Sequence, residues 1–137
     1  MTNIFALTGK NVLITGGGSG LGLAISKAMI DAGARVMIVG RREDVLQQAC
    51  KSLGERSVYK VFDIAILENI PGFVSEVESN LGPVHVLVNN AGINMKKDFH
   101  QVTDADFESV MRINQQAAFA LSREFSRKMV ERKSGTI

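Results

Sequence analysis

Thr15-Gly16-Gly17-Gly18-Ser19-Gly20-Leu21-Gly22 decides how this 137-residue chain is read. The apolar run Val12-Leu13-Ile14 precedes it, and an amphipathic run reaching Ala32 follows it. The order is strand, glycine turn, helix start. Glycines let backbone N–H groups approach a phosphate closely, and a helix N-terminus adds unpaired donors and a partial positive charge. The stretch therefore reads as a cradle for a diphosphate, built from Gly16, Gly18, Ser19, Gly20, Leu21 and Gly22.

Spacing narrows the reading. A G-x-G-x-x-G fingerprint does not fit, because Leu21 and Ile25 stand where its third glycine would fall. A Walker A motif fails as well. Gly17 and Gly22 are correctly spaced, but Leu23 sits where the lysine must be. T-G-x-x-x-G-x-G, from Thr15 to Gly22, does fit, and it resembles the cofactor loop of the short-chain dehydrogenase/reductase family.

Outward from the loop, strands and helices alternate. Val12–Thr15, Val36–Val39, Val58–Phe62 and Val84–Val88 read as strands. Leu21–Ala32 reads as the first helix, with Gly33 as its stop. Val45, Leu46, Ala49, Cys50 and Leu53 recur at helical spacing, as do Ile70, Phe73, Val74, Val77 and Leu81. Pro71 is tolerable in the first turn of that third helix. Gly82-Pro83 breaks the chain before the fourth strand. A long helical region runs from about Asp104 to Lys133, bent near Asn114, and Thr103 and Asp106 stand at capping-box spacing. This alternation predicts an α/β fold of Rossmann type: a doubly wound parallel sheet in order 3-2-1-4, ending before a fifth strand. Lys60 between Val58 and Phe62 suits an edge strand. The ligand crevice would lie at the carboxyl ends of strands 1 and 4, where the order reverses.

Composition sets outer bounds. The chain is 45% hydrophobic and 22% charged, as expected for one globular domain. A formal net charge of +2 gives no argument for a nucleic-acid or membrane partner. The opening Met1-Thr2-Asn3-Ile4-Phe5 lacks the pattern of a secretory leader. No apolar run approaches a membrane span, and the lone Cys50 excludes an internal disulfide, so a cytoplasmic location is expected. Cys50, Met111 and Met129 read as packing residues, and neither His85 nor His100 has metal-ligand spacing.

The end of the second strand carries the next signal, Val39-Gly40-Arg41-Arg42. In dinucleotide folds an acid here binds the adenosine ribose 2′-OH, whereas an arginine accommodates a 2′-phosphate. Gly40 takes the place of the acid, and Arg41, with Arg42 beside it, can fork onto phosphate oxygens. The expected cofactor is NADP, with NAD as the second choice.

The family resemblance extends over essentially the whole chain, with its motifs in order. It implies that Asp63, next to Ile64, contacts the adenine amino group. Asn89-Asn90-Ala91-Gly92 matches the family's N-N-A-G motif, so Asn90, Ala91 and Gly92 would lie against the cofactor ribose. Asn114 matches the helix asparagine of the family's Asn-Ser-Tyr-Lys catalytic set. Its implied role is to bend the helix and hold a water in a proton relay. Ser19 departs from the many NADP-using members that carry a basic residue there. The serine and the Tyr-x-x-x-Lys that complete the set are absent from this sequence, whose single tyrosine, Tyr59, is followed four places later by Asp63. The resemblance thus implies the amino-terminal, dinucleotide-binding part of an oxidoreductase, inactive by itself. The substrate would be a small carbonyl or alcohol, such as a sugar acid or a 3-oxoacyl group. It further implies a homo-oligomer contacting through the 104–133 helical region. The reading from another class is a non-catalytic nucleotide-binding or regulatory module.

Overall fold

Residues with branched apolar side chains fill the first two strands, and burial on both faces is what a central parallel strand requires. In the computed structural model, which describes residues 3–137, β1 (Asn11–Thr15) and β2 (Arg35–Gly40) lie at the centre of the sheet. Met1 and Thr2, which open the N-terminal stretch discussed above, lie outside the described residues. With β3 (Ser57–Val61) and β4 (Val86–Val88) they form a four-stranded sheet in order β3-β2-β1-β4. All three pairings are parallel, with Leu13 beside Met37 on one side and Leu87 on the other. The expected 3-2-1-4 order is the order found.

Strand alternation divides the core into two layers. Val12, Ile14, Val36 and Ile38 face α1 (Gly20–Asp31) and α2 (Glu43–Leu53), with Leu46 and Ala49 packed on them. Leu13, Met37, Val39 and Leu87 face the opposite layer, made by α3 (Ile70–Leu81) and α5 (Ala118–Arg132). Phe73, Val77, Leu121 and Phe125 fill that layer. The periodic stripes predicted from sequence are the buried faces, and Pro71 does sit in the first turn of α3.

Three local features refine the sequence reading. β4 begins at Val86 rather than Val84. The Val84 N–H donates to Glu78 Oε1 at 3.1 Å, and the Val84 carbonyl accepts from Arg132 Nη2 at 2.9 Å, so side chains hold this residue. Arg132 also donates to both Glu78 oxygens, at 3.0 and 3.1 Å, which clasps α5 to α3. The helical region is α4 (Asp104–Met111), a π-helical segment Arg112–Ala117, then α5. The bend expected near Asn114 is therefore a widening of the helix, a feature common at functional positions. Finally, the free edge of β4 carries one parallel bridge. The Leu87 N–H donates to the Thr136 carbonyl at 3.0 Å, and the Thr136 N–H to the His85 carbonyl at 2.9 Å. A single bridge thus extends the sheet beyond β4.

Among the described residues, no helix is long and apolar enough to cross a membrane, and no cluster of potential metal ligands occurs. His85 instead accepts the Asn11 N–H on Nδ1 at 3.0 Å, and burial, with Lys10 and Arg132 nearby, lowers its pKa.

Candidate functional site

The carboxyl ends of β1 and β4 are adjacent because the chain leaves the sheet in opposite directions on either side of β1. A crevice of about 430 Å³ opens there. Its floor is the turn between β1 and α1. Gly16 adopts φ +67, and a Cβ there would lie 3.1 Å from Ala91 Cα. Gly22, in the first turn of α1, leaves no room at all: a Cβ would stand 2.1 Å from the Gly16 carbonyl oxygen. Glycine at these two positions lets helix, turn and β4 loop close on one another.

Side chains then lock the turn to β4. Asn90 Nδ2 donates to the Thr15 and Gly16 carbonyls at 3.1 and 3.2 Å. The Asn90 and Ala91 N–H groups both donate to Thr15 Oγ1, at 3.2 and 3.0 Å. The sequence reading places Thr15 at the end of the first strand and the opening of the motif; its hydroxyl also organises both strand ends. The Ser19 hydroxyl makes no cap bond to α1, and the helix has no acidic residue in its first turn. The N–H groups at that end therefore face the crevice with their partial positive charge uncompensated.

The second wall is the end of β2 and the start of α2. Arg41 and Arg42 line the crevice. Both are exposed, and no ion pair among the described residues engages either. Val45 and Leu46 continue this wall, and Phe62, stacked on Phe73 at 4.1 Å, stiffens the opposite side. Sequence reasoning counted these apolar residues only as core or strand. Asp63 and Ile64 also line the crevice, and Asp63 Oδ1 accepts the Ala65 N–H at 2.9 Å.

Thus Gly16, Gly18, Ser19, Leu21 and Gly22 meet Arg41 and Arg42, Asp63 and Ile64, and Asn90, Ala91 and Gly92 around one crevice. Gly20 does not line it; at φ +52 it shapes the turn. Leu21, 80% exposed, projects over the opening. Asn114 stands behind the crevice. Its Oδ1 accepts the Ile93 N–H at 2.8 Å, and its Nδ2 donates to the Ile93 carbonyl at 2.9 Å. Both ends of the amide are engaged, so the side chain fixes the loop after Gly92 against the π segment. Farther along that loop, Lys97 donates to Asp106 at 2.7 Å. That bond, with the Thr103 N–H, holds the Asp106 carboxyl down to about 2. The Thr103 and Asp106 capping box is complete, with aspartate in place of the usual glutamate.

This arrangement offers backbone donors for a diphosphate, guanidiniums for a further phosphate, apolar walls for a flat ring, and a backbone rim at Ala91–Gly92 for a sugar. Residues 10–137 match the family model described as short chain dehydrogenase. The chain is 33% identical over 140 residues to 5-keto-D-gluconate 5-reductase of Escherichia coli (strain K12), covering 100% of this chain and 55% of that protein. It is 36% identical over 134 residues to the ketoacyl reductase HetN of Nostoc sp., covering 96% of this chain and 47% of that protein. A crystal structure of a candidate gluconate dehydrogenase from Agrobacterium tumefaciens superposes with a TM-score of 0.90 at 31% identity, covering 98% of this chain and 54% of that one. The chain spans about half the length of the curated relatives it matches.

Proposed function

Because this chain belongs to the short-chain dehydrogenase family, we propose that residues 1–137 form the dinucleotide-binding part of an NADP-preferring oxidoreductase. The observation that carries this reading is the meeting of the glycine turn with two exposed arginines along one crevice. The residues fit the cofactor. The N–H groups at the start of α1 have no side-chain cap and face the crevice, and two guanidiniums line it where a 2′-phosphate would lie. Gly16, Gly18, Ser19, Leu21 and Gly22 would hold the diphosphate, with Gly20 shaping the turn, Arg41 and Arg42 the 2′-phosphate, Asp63, next to Ile64, the adenine amino group, and Asn90, Ala91 and Gly92 a ribose.

The nicotinamide cofactor, when bound, supplies or accepts the hydride for a carbonyl or secondary alcohol. A sugar acid is the first substrate to test, given the gluconate-named relatives, and a 3-oxoacyl group the second. Asn114 would serve the proton path through its backbone carbonyl, since its amide is engaged by Ile93. The Tyr-x-x-x-Lys that would deliver a proton to the alkoxide does not occur in this sequence. Tyr59, the single tyrosine, lies on β3, bonded to Glu43 and Gln47. The exposed Phe107 and Phe119 make the 104–133 region the proposed subunit contact.

The test is calorimetric titration of the protein with NADPH and NADH, followed by turnover on 5-keto sugar acids and 3-oxoacyl thioesters. Tighter binding of NADPH than of NADH is expected, with no keto-acid reduction above background by residues 1–137 alone. Absence of binding by either nucleotide would overturn the reading.

A further inference from the structure

Two carboxylates, Glu43 and Asp44, occupy the first turn of α2, directly after Arg41 and Arg42. Their placement poses an electrostatic problem, because a carboxylate beside a guanidinium competes with a phosphate for it. Both arginines line the crevice, and neither acid does. Glu43 is held from another element. The Tyr59 hydroxyl, on β3, donates to Glu43 Oε1 at 3.1 Å, and Gln47 Nε2, one turn along α2, donates to the same hydroxyl at 3.1 Å. A phenol has one proton, so a donor on its oxygen directs that proton toward Glu43. The ring packs half-buried against the layer under α2, and its backbone pairs with Ile38 in the sheet. The anchor is therefore fixed by the sheet.

We propose that Tyr59 is a positioning residue for cofactor choice: its hydroxyl holds the Glu43 carboxylate away from Arg41 and Arg42 and leaves both guanidiniums open to a 2′-phosphate. This rests on the NADP-preferring reading above. Without the hydroxyl, Glu43 swings toward the adjacent arginines, pairs with them, and repels the incoming phosphate. The groups are exposed, so the effect is modest and screened by salt.

The experiment uses adenosine 2′,5′-bisphosphate and 5′-ADP as probes, titrated calorimetrically at low ionic strength into the protein and its variants. Tyr59→Phe should weaken adenosine 2′,5′-bisphosphate binding about three- to fivefold, in line with an exposed ion pair. It should leave 5′-ADP unchanged. Tyr59→Phe combined with Glu43→Gln should bind both probes as Glu43→Gln alone does, because the charge that Tyr59 restrains is gone. A purely structural role would not be rescued in this way. Equal loss for both probes, no loss, or failure of Glu43→Gln to rescue would overturn the proposal. Failure of the underlying reading looks different: the unsubstituted protein, and Arg41→Ala beside it, would bind the two probes equally.

Discussion

The two ends of the crevice are built from different materials. At the glycine turn the contacts are backbone to backbone, with Asn90 and Thr15 filling the remaining bonds and no room for a Cβ at Gly22. At the end of β2 the lining is side chain, and Arg41 and Arg42 are exposed and unpaired among the described residues. On the proposed reading, the first end would accept the diphosphate shared by every dinucleotide and would tolerate almost no substitution. The second would discriminate between dinucleotides and could be retuned by one residue. Rigidity and selectivity would thereby be separated along a single site.

Breaking the rigid end should have the largest effect. In Gly22→Ala the new methyl meets the Gly16 carbonyl at 2.1 Å and Asn90 Nδ2 at 2.5 Å, and the Gly16 backbone is not free to yield. Overpacking of this kind costs about 1–3 kcal/mol. Thermal melting should show that loss, and calorimetry should show NADPH and NADH binding lost together. Loss of one cofactor alone would mean the two ends are not separable as described.

Asn90→Ala comes next. It leaves the Gly16 and Thr15 carbonyls without their side-chain donor, at a cost of about 1 kcal/mol for part-buried hydrogen bonds. Both cofactors should again weaken by the same factor. A change in their ratio would place Asn90 in selectivity and blur the division.

Much of this was legible in the sequence. Buried parallel strands are continuous apolar runs, and the alternation of strands and helices, with Lys60 marking an edge strand, implied the order 3-2-1-4. What escaped was tertiary. The retreat of β4 to Val86 depends on Glu78 and Arg132, which lie on two different helices. The engagement of Asn114 by Ile93 joins residues 21 positions apart, and the π segment that permits it leaves no mark in an apolar stripe. Val45, Leu46 and Phe62 line the crevice with side chains that periodicity assigns to the core or to a strand. The Tyr59 anchor on Glu43 joins β3 to α2, which no local pattern reports.

The smallest expected effect lies outside both ends, on the loop that follows Gly92. Lys97 is the main cause of the lowered Asp106 pKa. Because the folded value, about 2, lies below the ordinary 3.8, this carboxylate favours the folded state above the ordinary value. That contribution is lost as pH falls through about 2. Lys97→Met should raise the Asp106 midpoint toward the ordinary value in an NMR titration and leave nucleotide affinity unchanged. An unmoved midpoint would show that the Thr103 N–H alone sets it.

The central claim is that the side-chain end selects the cofactor by its charge. The direct measurement is the ratio of NADPH to NADH dissociation constants for the protein and for Arg41→Asp. Charge-assisted hydrogen bonds contribute about 1.5–3 kcal/mol, so the substitution should weaken NADPH roughly ten- to a hundredfold and spare NADH. Equal weakening of both nucleotides, or an unchanged ratio, would contradict the account.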